Sequence, residues 1–280
     1  MGYAIMALRF MYITNDEQIA KIAEACGVDW IFIDLEINGK EQRQGHLDTV
    51  ISRHRIGDVR RIKTVLTKSK LLVRVNPIHD GSEAEINKVI HYGADIVMLP
   101  FFKDEFEVET FIRYVDKKAK ICLLVETPEA VENIDNILAL TGIDYIHIGL
   151  NDLHLGYGMS FMFELLADGT VDMLCKKISE KGIPYGFGGV ARLGKGDLPA
   201  EYVIAEHYRL GSSMAILARS FCNPEQVNSI EEIEILFSKG LQEIREYERQ
   251  LKNKDDKFFN RNHRVAKEKI LAIKTRKELS

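Results

Sequence analysis

The sequence predicts a (β/α)8 (TIM) barrel with an additional C-terminal helical tail. Three observations carry that expectation. Eight short apolar runs alternate with helical segments through residues 1–251, the pattern of a parallel sheet built from βαβ units. One unit is legible in full at Ile121–Gly158, ICLLVETPEAVENIDNILALTGIDYIHIGLNDLHLGYG. It shows an apolar strand ending at Glu126, an amphipathic helix, and a second apolar strand ending at Asn151-Asp152. Each strand carries a carboxylate at its C-terminal end, where α/β sheets place their chemistry. Finally, composition does not change regime before residue 252, and 280 residues suit a barrel built as one domain. A doubly wound open sheet is the alternative, but eight evenly spaced repeats favour closure.

Taken in order, residues 4–13 (AIMALRFMYI) read as the first strand. A helix follows in NDEQIAKIAEACG, with Asn15 as N-cap and Gly27 as stop. DWIFIDLE is the second strand, too uniformly apolar to be half-exposed. Residues 37–56 form a long polar connection, of a length that in compact domains usually serves function or flexibility. Next come a helix near Asp58–Thr67, the strand KLLVRVN, the helix SEAEINKVIHYG, the strand DIVMLP and the helix DEFEVETFIRYVDKKA. The Ile121–Gly158 unit supplies strands five and six. Beyond it lie a helix over roughly Ser160–Gly182 interrupted near Asp168-Gly169, the strand PYGFGGV, a helix Leu198–Tyr208 and the strand SSMAILA. Residues 229–251 make a strongly amphipathic helix that closes the barrel domain, 1–251.

Composition excludes several classes. A formal net charge of −4 gives the body no reason to bind nucleic acid. No apolar run reaches the roughly 18 residues of a membrane span, and the N-terminal run, broken by Arg9, reads as a strand rather than a signal peptide. Cys26, Cys122, Cys175 and Cys222 lie far apart without CxxC pairing, so buried reduced thiols in a cytoplasmic protein are expected. The segment 252–280 differs: ten Lys/Arg against four Asp/Glu give it a charge of +6, leaving −10 for residues 1–251. Apolar Phe258, Phe259, Val265, Ile270 and Ile273 punctuate it. Such a segment either packs as a solvated helix on a neighbour or binds an acidic surface.

On a barrel, the C-terminal strand ends converge on one mouth. Strand two ends in Asp34-Leu35-Glu36, strand three in Arg74-Val75-Asn76, strand five in Glu126 and strand six in Asn151-Asp152. Strands five and six lie about 4.8 Å apart, so their carboxylates can meet on one cation with ligand distances of about 2.1 Å. Two carboxylates without His or Cys favour a hard ion, Mg²⁺ or Mn²⁺, that keeps waters and accepts substrate oxygens; zinc would ask for nitrogen or sulfur. Arg74 offers a planar fork to a substrate carboxylate. Each residue alone also has a plain structural use, a cap for a strand-end acid or charge neutralisation for Arg74. The set, aimed at one mouth, points to chemistry. The glycines of GFGGV do not form a dinucleotide fingerprint and are better explained by close packing.

The strings DWIFIDLE, LLVRVNP, GADIVMLP and VETPEAVENIDNILALTGIDYIHIGLNDLHLGYG resemble the HpcH/HpaI aldolase and citrate lyase β-subunit family over about residues 20–220. That resemblance implies a barrel binding pyruvate-like or oxaloacetate-like groups on a divalent metal and making or breaking the adjacent carbon–carbon bond. It implies Glu126 and Asp152 as metal ligands, Arg74 as a substrate contact, and backbone amides near Asn151-Asp152 as the hold on the keto-acid carboxylate. Glu36 would hold a metal-bound water, with Asp34 nearby. Two positions depart from the aldolase branch: Ile37 stands where a histidine usually follows the strand-two acid, and Leu124 where a glutamine precedes the metal-binding glutamate. A positioned base contributes typically ~10²–10⁴-fold, so its loss changes or slows the mechanism. His46, beside Arg43 and Gln44 in the long connection, is the substitute the sequence offers ahead of His54; His147 and His154 read as packing or loop residues.

The leading expectation is a metal-dependent carbon–carbon lyase acting on a 2-oxo acid, such as a 4-hydroxy-2-oxo acid, through a metal-held pyruvate enolate. A citrate-lyase-like enzyme for acyl-CoA or carrier thioesters is the second. A non-catalytic barrel that binds an acidic partner through the basic tail is the third. A homo-oligomer assembled through residues 229–251 accompanies the first two.

Overall fold

The computed structural model describes residues 7–37, 54–227 and 229–279. Eight parallel strands close on themselves in sequence order: β1 Arg9–Ile13, β2 Trp30–Asp34, β3 Lys70–Arg74, β4 Ile96–Leu99, β5 Lys120–Val125, β6 Tyr145–Ile148, β7 Tyr185–Val190 and β8 Met214–Leu217, with β8 pairing β1. Helices lie between successive strands and on the outside, as the alternating pattern requires.

The strand residues divide by period two. Met11, Trp30, Phe32, Leu72, Ile96, Met98, Cys122, Leu124 and Met214 fill the barrel interior. Their neighbours, such as Phe10, Ile31, Ile33, Val73, Val97, Leu123, Ile146 and Ile148, belong to the larger layer between sheet and helices. Both faces are buried, which is why the strands read as continuous apolar runs. At the N-terminal end Arg9 lies against the Trp30 and Tyr145 rings, with its guanidinium carbon 5.5 and 5.2 Å from their centroids.

Three local readings are corrected. The N-cap of the first helix, Glu17–Ala25, is Asp16, whose carboxylate accepts from Gln18 N and Ile19 N. Asn15 instead donates to Asp58 Oδ2 at 2.9 Å. The helix expected between β5 and β6 is two pieces, Pro128–Glu132 and Ile134–Ile137, because Asn133 leaves helical geometry and ties its amide to Lys103 O. Finally, β6 ends at Ile148, and Asn151-Asp152 sit in the first turn of a helix, Leu150–Gly156. Gly149 leaves the strand conformation there, and its carbonyl accepts the first helical bond from Leu153 N.

The tail is helical from Asp256 to Glu278. It buries Phe259, Asn262, Ala266, Ile270 and Ile273 and packs on the helices Ala200–Arg209 and Glu164–Ala167. Lys274 pairs Glu164 at 2.8 Å, and the buried Glu206 carboxylate takes His263 Nδ1 at 2.8 Å and Asn262 Nδ2 at 3.1 Å. Among the described residues no helix is long and apolar enough to cross a membrane, and all four cysteines are free.

Candidate functional site

The C-terminal strand ends form an acidic mouth around one guanidinium. Asp34 closes β2 and Arg74 closes β3, and the two are register partners. Arg74 Nε and Nη2 donate to the two Asp34 carboxylate oxygens, each at 2.8 Å. Glu36 Oε2 lies 3.4 Å from Arg74 Nε, and Glu36 N donates to Asp34 Oδ1. Burial alone would favour loss of the Arg74 proton. The carboxylates of Asp34, Glu36 and Glu126 override that and hold the guanidinium well above its ordinary pKa. This arrangement refines what the sequence suggested. The side edge of the fork, Nε with Nη2, is occupied by Asp34, leaving the end edge, Nη1 with Nη2, for a ligand.

Glu126 follows the last residue of β5 and is buried. Its Oε1 accepts from Phe101 N at 3.1 Å. Phe101 carries φ of +51°, a left-handed conformation costly for a bulky residue. On its other side the carboxylate lies against Gly149: a Cβ there would stand 2.8 Å from both Glu126 Cβ and Glu126 Oε2. An amide and a missing side chain thus fix Glu126. Asp152 is also buried, two residues into the helix that Leu150 starts. His154 turns back into that helix, Nδ1 donating to Leu150 O at 3.1 Å.

A divalent cation can be tested against these residues by charge and donor type. Three buried carboxylates act on one arginine, and a fourth, Asp152, lies at the next strand end. Such oxygen-only donors suit, among divalent ions, Mg²⁺ or Mn²⁺. Among the described residues no three of His, Cys, Asp and Glu cage an ion by themselves. The residues therefore fit an ion that draws most of its shell from water and substrate, the habit of Mg²⁺.

The structure brings Asp34, Glu36, Arg74 and Glu126 together, with Asn151 and Asp152 on the adjoining helix. His46 lies outside the described residues. His54 accepts from Asp34 N through Nδ1 at 3.0 Å, so it supports the β2 end. Ile37 is more than half exposed at the rim, its amide held by Asn76 Oδ1. Sequence reasoning missed two contributors, the Phe101 amide and the imidazole of His147. Alternation could have found the second: Tyr145 packs inward and Ile146 and Ile148 outward, so His147 enters the lumen.

The sequence profile of the HpcH/HpaI aldolase/citrate lyase family matches residues 9–162. A hydroxypyruvate/pyruvate aldolase from Agrobacterium fabrum (strain C58) is 29% identical over 162 residues, 50% of this chain and 58% of that protein. The match thus spans less than two thirds of that relative's length. An HpcH/HpaI aldolase structure from Desulfitobacterium hafniense DCB-2 superposes with a TM-score of 0.57 at 16% identity, covering 86% of this chain and 93% of the other. A citrate synthase variant, SbnG, gives 0.56 at 17% identity, covering 75% and 85%. At such identities the two structures speak for the fold alone.

Proposed function

The chain belongs to the HpcH/HpaI aldolase/citrate lyase family, and from that premise we propose that it is a carbon–carbon lyase cleaving or forming a 4-hydroxy-2-oxo acid. The observation that carries the reading is the buried mouth in which Glu126 is fixed between the Phe101 amide and Gly149 while Asp34 aims Arg74. Glu126 and Asp152 would hold a divalent cation, Mg²⁺ or Mn²⁺. Such an ion, when bound, supplies Lewis-acid polarisation of the 2-oxo group.

In the cleavage direction the 4-hydroxyl loses its proton to a base and the C3–C4 bond breaks. The electron pair passes into the pyruvate enolate, and C3 then takes a proton. Arg74 offers its end-edge N–H groups to the oxygens on which that negative charge gathers. Because its other edge is bonded to Asp34 at 2.8 Å twice, the guanidinium need not reorganise as charge develops. Glu36 Oε2, 3.4 Å from Arg74 Nε, is a second counter-anion that helps hold the guanidinium in place, and its carboxylate would orient a water. The first N–H groups of the Leu150–Gly156 helix have no intrahelical acceptor and suit the keto-acid carboxylate. His46 is the residue the sequence offers as base.

The relative described as a hydroxypyruvate/pyruvate aldolase supports a 2-oxo acid substrate. The test is pyruvate α-proton exchange in D₂O, together with pyruvate release from 4-hydroxy-2-oxo acids, with and without Mg²⁺ or Mn²⁺. Exchange stimulated by metal and lost in Glu126→Gln is expected. Exchange that ignores metal, or none with any 2-oxo acid, would sink the reading.

A further inference from the structure

His147 is fully buried in the barrel lumen, and nothing in the mechanism above uses it. It faces Leu124 across β5 and Gly186 across β7. Its Nε2 lies 3.1 Å from Gly188 O; a carbonyl only accepts, so Nε2 carries the proton and Nδ1 the lone pair. Nδ1 meets no hydrogen-bond donor among the described residues. A buried acceptor left in that state is destabilising, and an apolar side chain would fill the layer without it, as Leu124 does next door. What the imidazole adds is therefore its single bond to Gly188 O.

Gly188 is a special acceptor. Gly186 pairs Met214 and Gly189 pairs Ile216, so β7 spends one more residue than β8 over the same span. The bulge holds Gly188 at φ +52°, a conformation for which glycine is suited. A Cβ on Gly188 would stand 2.7 Å from Leu150 Cδ1, so the bare backbone of the bulge is pressed against Leu150. Leu150 begins the helix that carries Asn151 and Asp152. The contacts run from His147 to the Gly188 carbonyl, from the Gly188 backbone to Leu150, and from Leu150 two residues along to Asp152.

We propose that His147 is a positioning residue: its Nε2–H locks the β7 bulge, and the bulge seats the Leu150–Gly156 helix so that the Asp152 carboxylate stands at metal-binding distance. This rests on the reading of Asp152 as a metal ligand. Metal sites tolerate ligand shifts of about 0.2 Å, so small slippage of the bulge is enough to matter. Partners that hydrogen-bond a metal ligand directly typically change affinity 10–100-fold when removed; His147 reaches Asp152 through Gly188 and Leu150, so the lower end of that range applies. Burial and the nearby Arg74 keep the ring neutral, and the Gly188 carbonyl fixes the proton on Nε2.

The experiment measures Mg²⁺ affinity of the full chain by calorimetry, with melting curves on the same samples, for wild type, His147→Phe, His147→Gln and Asp152→Asn. His147→Phe is expected to weaken Mg²⁺ binding ~10-fold at temperatures far below its melting point. His147→Gln, whose amide can donate to Gly188 O, is expected to recover most of that loss. Should His147→Phe bind as wild type while Asp152→Asn does not, the positioning role is overturned and the metal reading of Asp152 stands. No Mg²⁺ binding by wild type overturns both. If His147→Phe does not fold, ¹⁵N spectra of wild-type histidines decide the matter. The His147 Nε2 signal must be that of a protonated nitrogen and must move on Mg²⁺ addition. That of His207, bonded to Ser212 behind β7, stays still; an unmoved His147 overturns the proposal.

Discussion

Gly149→Ala isolates the placement of Glu126 without removing its charge. The backbone at Gly149, φ −85° and ψ 87°, is open to alanine, so the effect is steric. The new Cβ would stand 2.8 Å from Glu126 Cβ and from Glu126 Oε2, where carbon atoms normally stay about 3.5–4.0 Å apart. The carboxylate could swing, but its Cβ is tied to β5, so the glutamate has to give by roughly 0.7 Å. Overpacking of this kind costs about 1–3 kcal/mol, a fall in Tm of roughly 2–10 °C at this chain length. The same shift exceeds by about threefold the tolerance of a metal ligand. Mg²⁺ affinity should therefore drop by at least ~10-fold in calorimetry, and metal-stimulated exchange should fall with it, while the circular dichroism spectrum keeps its native form. Native melting with undiminished Mg²⁺ affinity would show that the Glu126–Gly149 contact does not define the site.

Other perturbations read different parts of the mouth. Arg74→Lys loses the twin bonds to Asp34 and the rigid fork, so pyruvate affinity should fall ~10-fold or more with modest effect on Mg²⁺, measured by titration with each. Burial pushes His147 down to about 4 and His207 to about 3, below the unfolded value near 6.5. Unfolding therefore takes up protons, and the stability these neutral rings contribute is present above pH 6.5 and is lost as pH falls towards 4 and 3. Urea midpoints should decline over that window, and less steeply in His147→Phe. Truncation at residue 252 removes the buried Phe259, Ile270 and Ile273 and takes Asn262 and His263 away from the Glu206 carboxylate, so a lower Tm is expected. If the truncated chain instead melts as before yet loses its biological role, with Glu126→Ala harmless, the tail is a partner-binding arm and the barrel no enzyme. Light scattering that returns a clean monomer would refute assembly through residues 229–251.

Much of this was legible in one dimension. Uniform apolar runs separated by helices announce a parallel sheet with both faces covered, and eight of them announce closure, because hydrophobic periodicity is local and needs no partner to be seen. Asp34, Arg74 and Glu126 could be placed at strand ends by the same rule. Asp152 was placed slightly wrongly, since apolar Ile148 and Leu150 flank Gly149 without revealing that the glycine turns strand into helix. His147 reads as a packing residue in the sequence, although the inward alternation of Tyr145 and His147 already points it into the lumen.

By itself, then, the sequence determined the fold class, the order of strands and the cluster of oxygen donors at one mouth, all consequences of side-chain polarity repeated at fixed spacing. Only tertiary structure decided how those donors are shared. Asp34 takes one edge of Arg74, a backbone amide at Phe101 and the bare Cα of Gly149 hold Glu126, and a bulged β7 meets both His147 and Leu150. These contacts join residues as much as 41 positions apart through hydrogen bonds and excluded volume, which depend on distances that exist only once the barrel has closed.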